Sequence, residues 1–207
     1  MKEQQMRSRK LLPAVALAAL ALTACGTDDQ APAGGGGDEG PDLTSAPEAT
    51  WSPMGGISVP SAEECPEKTD PVDHGYAHTP QCAVIAAITG QTLLATTGDS
   101  DWPEMANTIL APGAGKDQWV QSRALMSVKG RVRNPATFVG FQFSDYSDDR
   151  AQVLLALEWP DGMLTAQPTQ LAWQTGDWKL VLPTQQSAVD ATEITTLDGF
   201  TEFSPEN

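Results

Sequence analysis

The stretch HGYAHTPQC contains the residues of this chain that are best suited to chemistry. It holds both histidines, His74 and His78, and one of the three cysteines, Cys82. Imidazole nitrogen and thiolate sulfur are ligands for Zn²⁺, and a thiol beside an imidazole is the arrangement of cysteine nucleophiles. The stretch also suits a loop that enters a helix, since Thr79-Pro80 is a helix-start pattern. The choice between these interpretations decides whether the chain is an enzyme.

The N-terminus has the pattern of a lipoprotein signal peptide over residues 1–24. A basic start is followed by about 13 apolar residues, fewer than the roughly 20 that span a bilayer. The run ends in Leu-Thr-Ala-Cys-Gly, which resembles a bacterial lipobox. That resemblance implies that Cys25 is acylated, with palmitate-type chains, and becomes the first residue of the mature protein. Two acyl chains hold a protein stably on a membrane, so we expect the outer face of the cell membrane. The alternative is a generic signal peptide with a chance cysteine.

The chain is strongly acidic, with a formal net charge of −15 over 207 residues. The signal peptide carries four cations and one acid, a net of +3, so its removal leaves −18. A surface of this sign repels phosphates, which argues against nucleic acid as a partner. The partners we expect are the membrane, through Cys25, and an unidentified envelope protein; the sequence does not indicate an oligomeric state.

Composition divides the rest of the chain into four parts. Residues 25–50 are rich in Gly, Pro and acids, and we expect a disordered tether. Residues 51–78 remain Pro-rich but include apolar side chains, and we expect an extended arm on the domain. Residues 79–203 form the predicted folded domain, and residues 204–207 are a tail.

Three helical segments open the predicted domain. We expect the first from Pro80 to about Thr97, capped by Thr79, with Gly90 explained by close packing. Asp101 followed by Glu104 is a capping-box pattern and predicts a second helix. A short third helix is predicted from Asp117 to about Met126.

Beyond residue 130 the apolar period changes to two, which predicts four antiparallel strands in a meander. One face of these strands is aliphatic and aromatic, and it could be core or could line a ligand cavity. Its predicted members are Val139, Phe141, Phe143, Val153, Leu155, Leu157, Trp159, Trp173 and Trp178.

Helices followed by a curved antiparallel sheet predict an α+β fold. The order resembles the NTF2-like (cystatin-like) cone, in which N-terminal helices pack in a four-stranded sheet. The phrases GYAHTPQ, APGAGKD and GDWKLVLP are similar to those of an uncharacterised family of actinobacterial secreted proteins and lipoproteins. Members of that family often occur near conjugative or integrative elements, and the resemblance brings no catalytic residues.

Once Cys25 is assigned to the lipid, Cys65 and Cys82 remain, and two thiols in an exported protein usually pair. We expect a disulfide between them. The alternatives are a reactive Cys82 thiolate near a helix N-terminus and a zinc set formed with His74 and His78. The spacing of that set matches no known zinc module, so we expect neither metal nor cofactor.

No catalytic motif is present; the aspartates of the predicted sheet lie in or beside turns, and Glu158 lies in a strand but opposite in phase to the apolar face. We therefore expect a protein that is not an enzyme: a lipid-anchored module for protein–protein interaction or assembly in the envelope, with a link to conjugation machinery suggested by the family resemblance. The alternative is a lipoprotein that binds a small ligand in the cavity of the cone.

Overall fold

The computed structural model describes residues 40–203. The predicted signal peptide, Cys25, most of the predicted tether and the tail at 204–207 lie outside the described residues. None of the helices within 40–203 combines the length and apolar character that a bilayer span requires.

Eleven elements make up this part of the chain, and they form two sheets and three helices. The first sheet is a hairpin of β1 (Thr50–Met54) and β2 (Ile57–Ser61). The helices are α1 (Pro80–Thr96), α2 (Trp102–Ile109) and α3 (Ala114–Arg123). The remaining strands are β3 (Thr137–Ser147), β4 (Arg150–Glu158), β5 (Leu164–Gln174), β6 (Asp177–Val181), β7 (Thr192–Ile194) and β8 (Thr201–Glu202).

The second sheet has six antiparallel strands, and strand order β6-β5-β4-β3-β8 describes five of them. The short strand β7 pairs with the start of β5. The strands β3 to β6 follow the predicted meander, while β7 and β8 come from the polar C-terminal segment. Phe203 anchors that segment, since it is buried and its ring lies 5.4 Å from that of Phe141.

The predicted α+β, NTF2-like cone is wrong. The fold is mostly β, with 34% strand against 21% helix, and its sheets have two and six strands. A β-hairpin precedes the first helix, so the order is not helix-first. The hairpin turns at Gly55-Gly56, where both residues have positive φ, a turn that glycine pairs favour. Two prolines nearby made this strand pairing difficult to predict from the sequence.

The helix α1 is buried almost all round, because it packs against β2 as well as against strands of the larger sheet. A helix without a polar face requires this environment. The predicted start is confirmed: the Thr79 hydroxyl accepts a hydrogen bond from the Cys82 N–H at 3.2 Å. The predicted role of Gly90 is confirmed as well, since a Cβ there would lie 2.2 Å from a methyl carbon of Leu180.

The other two helices differ from the sequence prediction in the cap of α2 and in the start of α3. α2 begins at Trp102, but the Asp101 side chain makes no capping hydrogen bond because its backbone is already helical rather than extended. α3 runs three residues earlier than predicted, from Ala114. It ends at Arg123, whose guanidinium bonds the carbonyl of Met126 and so fixes the chain as it leaves the helix.

Candidate functional site

The cysteines of the opening stretch form a disulfide. Cys65 and Cys82 are bonded, with their Cα atoms 5.5 Å apart, and both are buried. The bond joins the segment after β2 to the first turn of α1. It removes both thiols from nucleophilic or metal-binding chemistry, because the thiolate is the species that reacts and ligates.

The two histidines make contacts that do not involve the cysteines. Nδ1 of His74 is 2.7 Å from the carbonyl oxygen of Val72. The ring of His78 stacks on Trp173, with centroids 4.0 Å apart, and its Nε2 is 2.6 Å from the carbonyl oxygen of Asp148. Across residues 40–203, no three His, Cys, Asp or Glu side chains are grouped so that they could hold a metal ion.

The predicted apolar face divides into three groups. Most of its members lie in the core: Phe141, Val153, Leu155, Leu157 and Trp178. Others are half-buried: Val139, Phe143 and Trp173. Trp159 differs from both groups, because it lies one residue beyond β4 and is 41% exposed.

Two shifts in the register of β3 explain why buried and exposed residues do not alternate strictly along this strand. The pairing with β4 shifts between Phe138 and Gly140 and again between Phe143 and Asp145. A bulge inserts one residue and reverses the inward phase, so Phe138 is buried in place of Val139.

A buried ion pair, not anticipated from the sequence, fixes the segment before α1. Asp177 is 5% exposed, and its carboxylate lies 2.6 Å from Nζ of Lys179. The same carboxylate accepts a hydrogen bond from the backbone N–H of Tyr76. Alternation along β6 places Asp177 on the same side of the strand as Lys179, but it gave no signal that the carboxylate is buried. The network is structural, because every charge in it already has a partner.

An apolar–basic tip, defined as Leu125, Met126, Lys129 and Arg131, follows α3. Leu125 is 89% and Met126 61% exposed, and both cations are exposed as well. Only eight of the 12 Lys and Arg residues follow the signal peptide, and three lie between residues 129 and 133. The tip is therefore a positive and apolar region on an acidic chain.

The tip is held in place by an ion pair at its base. Arg123 is buried, and its guanidinium bonds both the Thr97 carbonyl and the Asp99 carboxylate. Hydrogen bonds from the Ser127 hydroxyl, the Val128 N–H and Arg123 lower the pKa of Asp99 to about 2. The exposed side chains thus sit on an ordered loop.

A groove lies beside Trp159, at the end of the larger sheet. Its volume is about 290 Å³, and Ile57, Phe138 and Leu157 contribute its apolar surface. Gln91, Arg133 and Gln167 contribute polar groups. Sequence reasoning placed Trp159 on the apolar face but missed the groove, which combines residues from α1, both sheets and the loop before β3.

Comparison with known proteins gives a family but no characterised relative. Neither the search of curated proteins nor that of solved structures found a match. A family described as a domain of unknown function, DUF8175, matches residues 14–202. The match covers most of the chain, and the chain therefore belongs to the DUF8175 family.

Proposed function

We propose that this protein is a lipid-anchored, non-enzymatic module of the cell envelope that binds another protein through the apolar–basic tip. The tip is the observation that carries this proposal. Two large apolar side chains at 89% and 61% exposure, fixed on an ordered loop, have no role in the core. Contiguous exposed apolar side chains of this kind mark interaction sites.

The charge of the tip indicates the nature of the partner. Lys129 and Arg131 stand out on a chain whose net charge is −15. Between residues 124 and 134 there is no Asp or Glu. Complementary charge steers association and rejects wrong partners, so the partner is a protein with an acidic patch around an apolar pocket.

The tip lies at the end of α1 opposite to the point where the chain enters the domain. Gln81, in the first turn of α1, hydrogen-bonds the carbonyl of Asp42, so the chain enters the domain at that end of the helix. Arg123 and Asp99 hold the tip at the other end, beside Thr97. Seventeen helical residues separate the ends, about 25 Å.

The remaining parts of the proposal come from the sequence. The lipobox resemblance supports acylation at Cys25, an anchor on the outer face of the membrane and a preceding signal peptide. The resemblance of three sequence phrases to those of actinobacterial lipoproteins is the basis for proposing an assembly linked to conjugation machinery. Small-ligand binding, the alternative function, is favoured by one specific observation, the groove beside Trp159.

Site-specific photo-crosslinking in the native host tests the tip. A photoreactive residue replaces Leu125 in the full chain, and another replaces Val189, which is 71% exposed but outside the tip. We expect an adduct with one other protein from position 125 and none from position 189. The variant Lys129→Glu/Arg131→Glu should abolish that adduct.

Three outcomes would overturn the proposal: no adduct, equal adducts from both positions, or an adduct that survives charge reversal. Crosslinking to lipid would assign the tip to the membrane surface, and an adduct with a second copy would assign it to self-association. Either result contradicts binding to an acidic protein.

A further inference from the structure

The groove beside Trp159 has the components of a carbohydrate site. We propose that it binds an N-acetylated amino sugar, whose ring stacks on Trp159 and whose acetamido group enters the groove. This site is separate from the apolar–basic tip, and its test uses different residues.

Trp159 is held as a rigid, exposed platform. Its indole Nε1–H donates to the hydroxyl of Thr165 at 3.0 Å, and Thr165 is buried. Its backbone N–H donates to the carbonyl of Met163 at 2.9 Å. Both donors are thus satisfied within the protein, and the remaining exposed surface is aromatic. Sugar rings present C–H groups on one face, and those groups pack on an indole.

The floor of the groove suits a methyl group rather than a hydroxyl. Ile57, Phe138 and Leu157 line it, and each is at most 9% exposed. Burying a hydroxyl among them without a partner is unfavourable, while burying a methyl group is favourable. An acetamido group carries a methyl of this kind, and a plain hexose does not.

The polar side of the groove matches the amide of the same group. Gln91 and Gln167 line the groove, and a primary amide offers both donors and an acceptor. The acetamido N–H and C=O need one acceptor and one donor, so a single glutamine can satisfy both. Gln91 is already oriented, because its Nε2 donates to the Thr169 hydroxyl at 3.2 Å. Its carbonyl oxygen is the acceptor that remains.

Arg133 adds a preference for an acidic substituent. It lines the groove and is exposed, and it belongs to none of the three ion pairs found within residues 40–203. A guanidinium binds a carboxylate in a bidentate geometry. An amino sugar that bears a carboxylate would therefore bind more tightly than the neutral sugar. The volume of about 290 Å³ is at the small end for ligand sites and limits the buried part to one sugar unit.

Two trisaccharides of equal length test the inference by titration calorimetry on the full chain. N,N′,N″-Triacetylchitotriose (hereafter chitotriose) carries an acetamido group on each sugar, and cellotriose carries hydroxyls at the same positions. We expect chitotriose to bind at least about tenfold more tightly, a difference of about 1.4 kcal/mol. Equal affinities, or no heat with chitotriose at millimolar concentration, would overturn the proposal.

Three variants locate the binding site. Trp159→Ala should weaken chitotriose binding about tenfold or more, and Trp159→Phe should retain part of it because a ring remains. Gln167→Ala should reduce the preference over cellotriose, and it serves as a second probe if Trp159→Ala does not fold. Val189→Ala, at an exposed position outside the groove, should bind as the parent does. Unchanged binding in Trp159→Ala and in Gln167→Ala would show that the sugar binds elsewhere.

Discussion

Several residues whose types suggested catalysis or metal binding have structural roles in this protein instead. His78 stacks on Trp173, and Cys82 is bonded to Cys65. We predicted that Cys65 and Cys82 pair because two thiols in an exported protein usually do, and the structure confirms this disulfide. The role of Asp177 did not follow from its position in the sequence. It lies next to the turn at Thr175-Gly176, where an exposed carboxylate is the ordinary expectation.

Replacing Asp177 with Asn should destabilise the fold. The variant leaves the Lys179 ammonium, 14% exposed, without its carboxylate. Removing one partner of a buried ion pair lowers the free energy of unfolding by about 3 kcal/mol or more. Urea denaturation followed by tryptophan fluorescence measures the free energy of unfolding. Asp190→Asn, at an exposed position, is the matched control and should change little. If both variants unfolded at the same urea concentration, the predicted contribution of the buried ion pair to stability would be contradicted.

At the scale of elements, the backbones of two helices approach neighbouring residues closely at glycines, and these contacts set the positions of the helices. α1 passes Leu180 of β6 at Gly90, and α3 meets the segment after β6 at Gly115. Both glycines lie inside helices, where glycine is less favourable than alanine by about 0.5–1 kcal/mol. Packing therefore outweighs helix propensity at these two positions.

Gly115→Ala should be destabilising although alanine is the better helix former. The new Cβ would lie 1.8 Å from the carbonyl oxygen of Leu182, and a backbone atom cannot move aside alone. Overpacking of this kind costs about 1–3 kcal/mol. Gly98→Ala is the control, because a Cβ there has nothing within 4 Å. Thermal unfolding should separate the two variants clearly, and a gain in stability for Gly115→Ala would contradict the close approach.

At the scale of the whole molecule, as described by residues 40–203, the point where the chain enters the domain and the apolar–basic tip lie at opposite ends of one buried helix. The chain enters beside Gln81, at the start of α1, and the tip is fixed beside Thr97. The hairpin and the larger sheet both pack on this helix.

Cys25→Ser should release the protein from the membrane. The proposed anchor depends on acyl chains on this one sulfur, and the variant has no thiol to acylate. Fractionation of host cells by ultracentrifugation, with detection of the chain in each fraction, measures the release. Lys2→Ser is a matched control that leaves the cysteine in place and should stay in the membrane fraction. Retention of Cys25→Ser there would contradict the anchor.

The sequence by itself determined those local structures that depend on backbone geometry or on the spacing of apolar residues along the chain. Thr79-Pro80 predicted the start of α1, and the period of two predicted strands β3 to β6. The hairpin at Gly55-Gly56 also carried a signal, because two glycines between apolar residues favour a tight turn. Its neighbouring prolines outweighed that signal in the prediction of an extended arm.

Only the tertiary structure decided what those elements build. The order of helices and strands is compatible with several layer arrangements, and the β1-β2 hairpin packed on α1 distinguished this fold from the expected cone. The two bulges in β3, the exposure of Trp159 and the groove arise from contacts between residues far apart in sequence. The physical reason is that propensity and period act over a few residues, whereas burial is set by whichever distant surface covers a side chain.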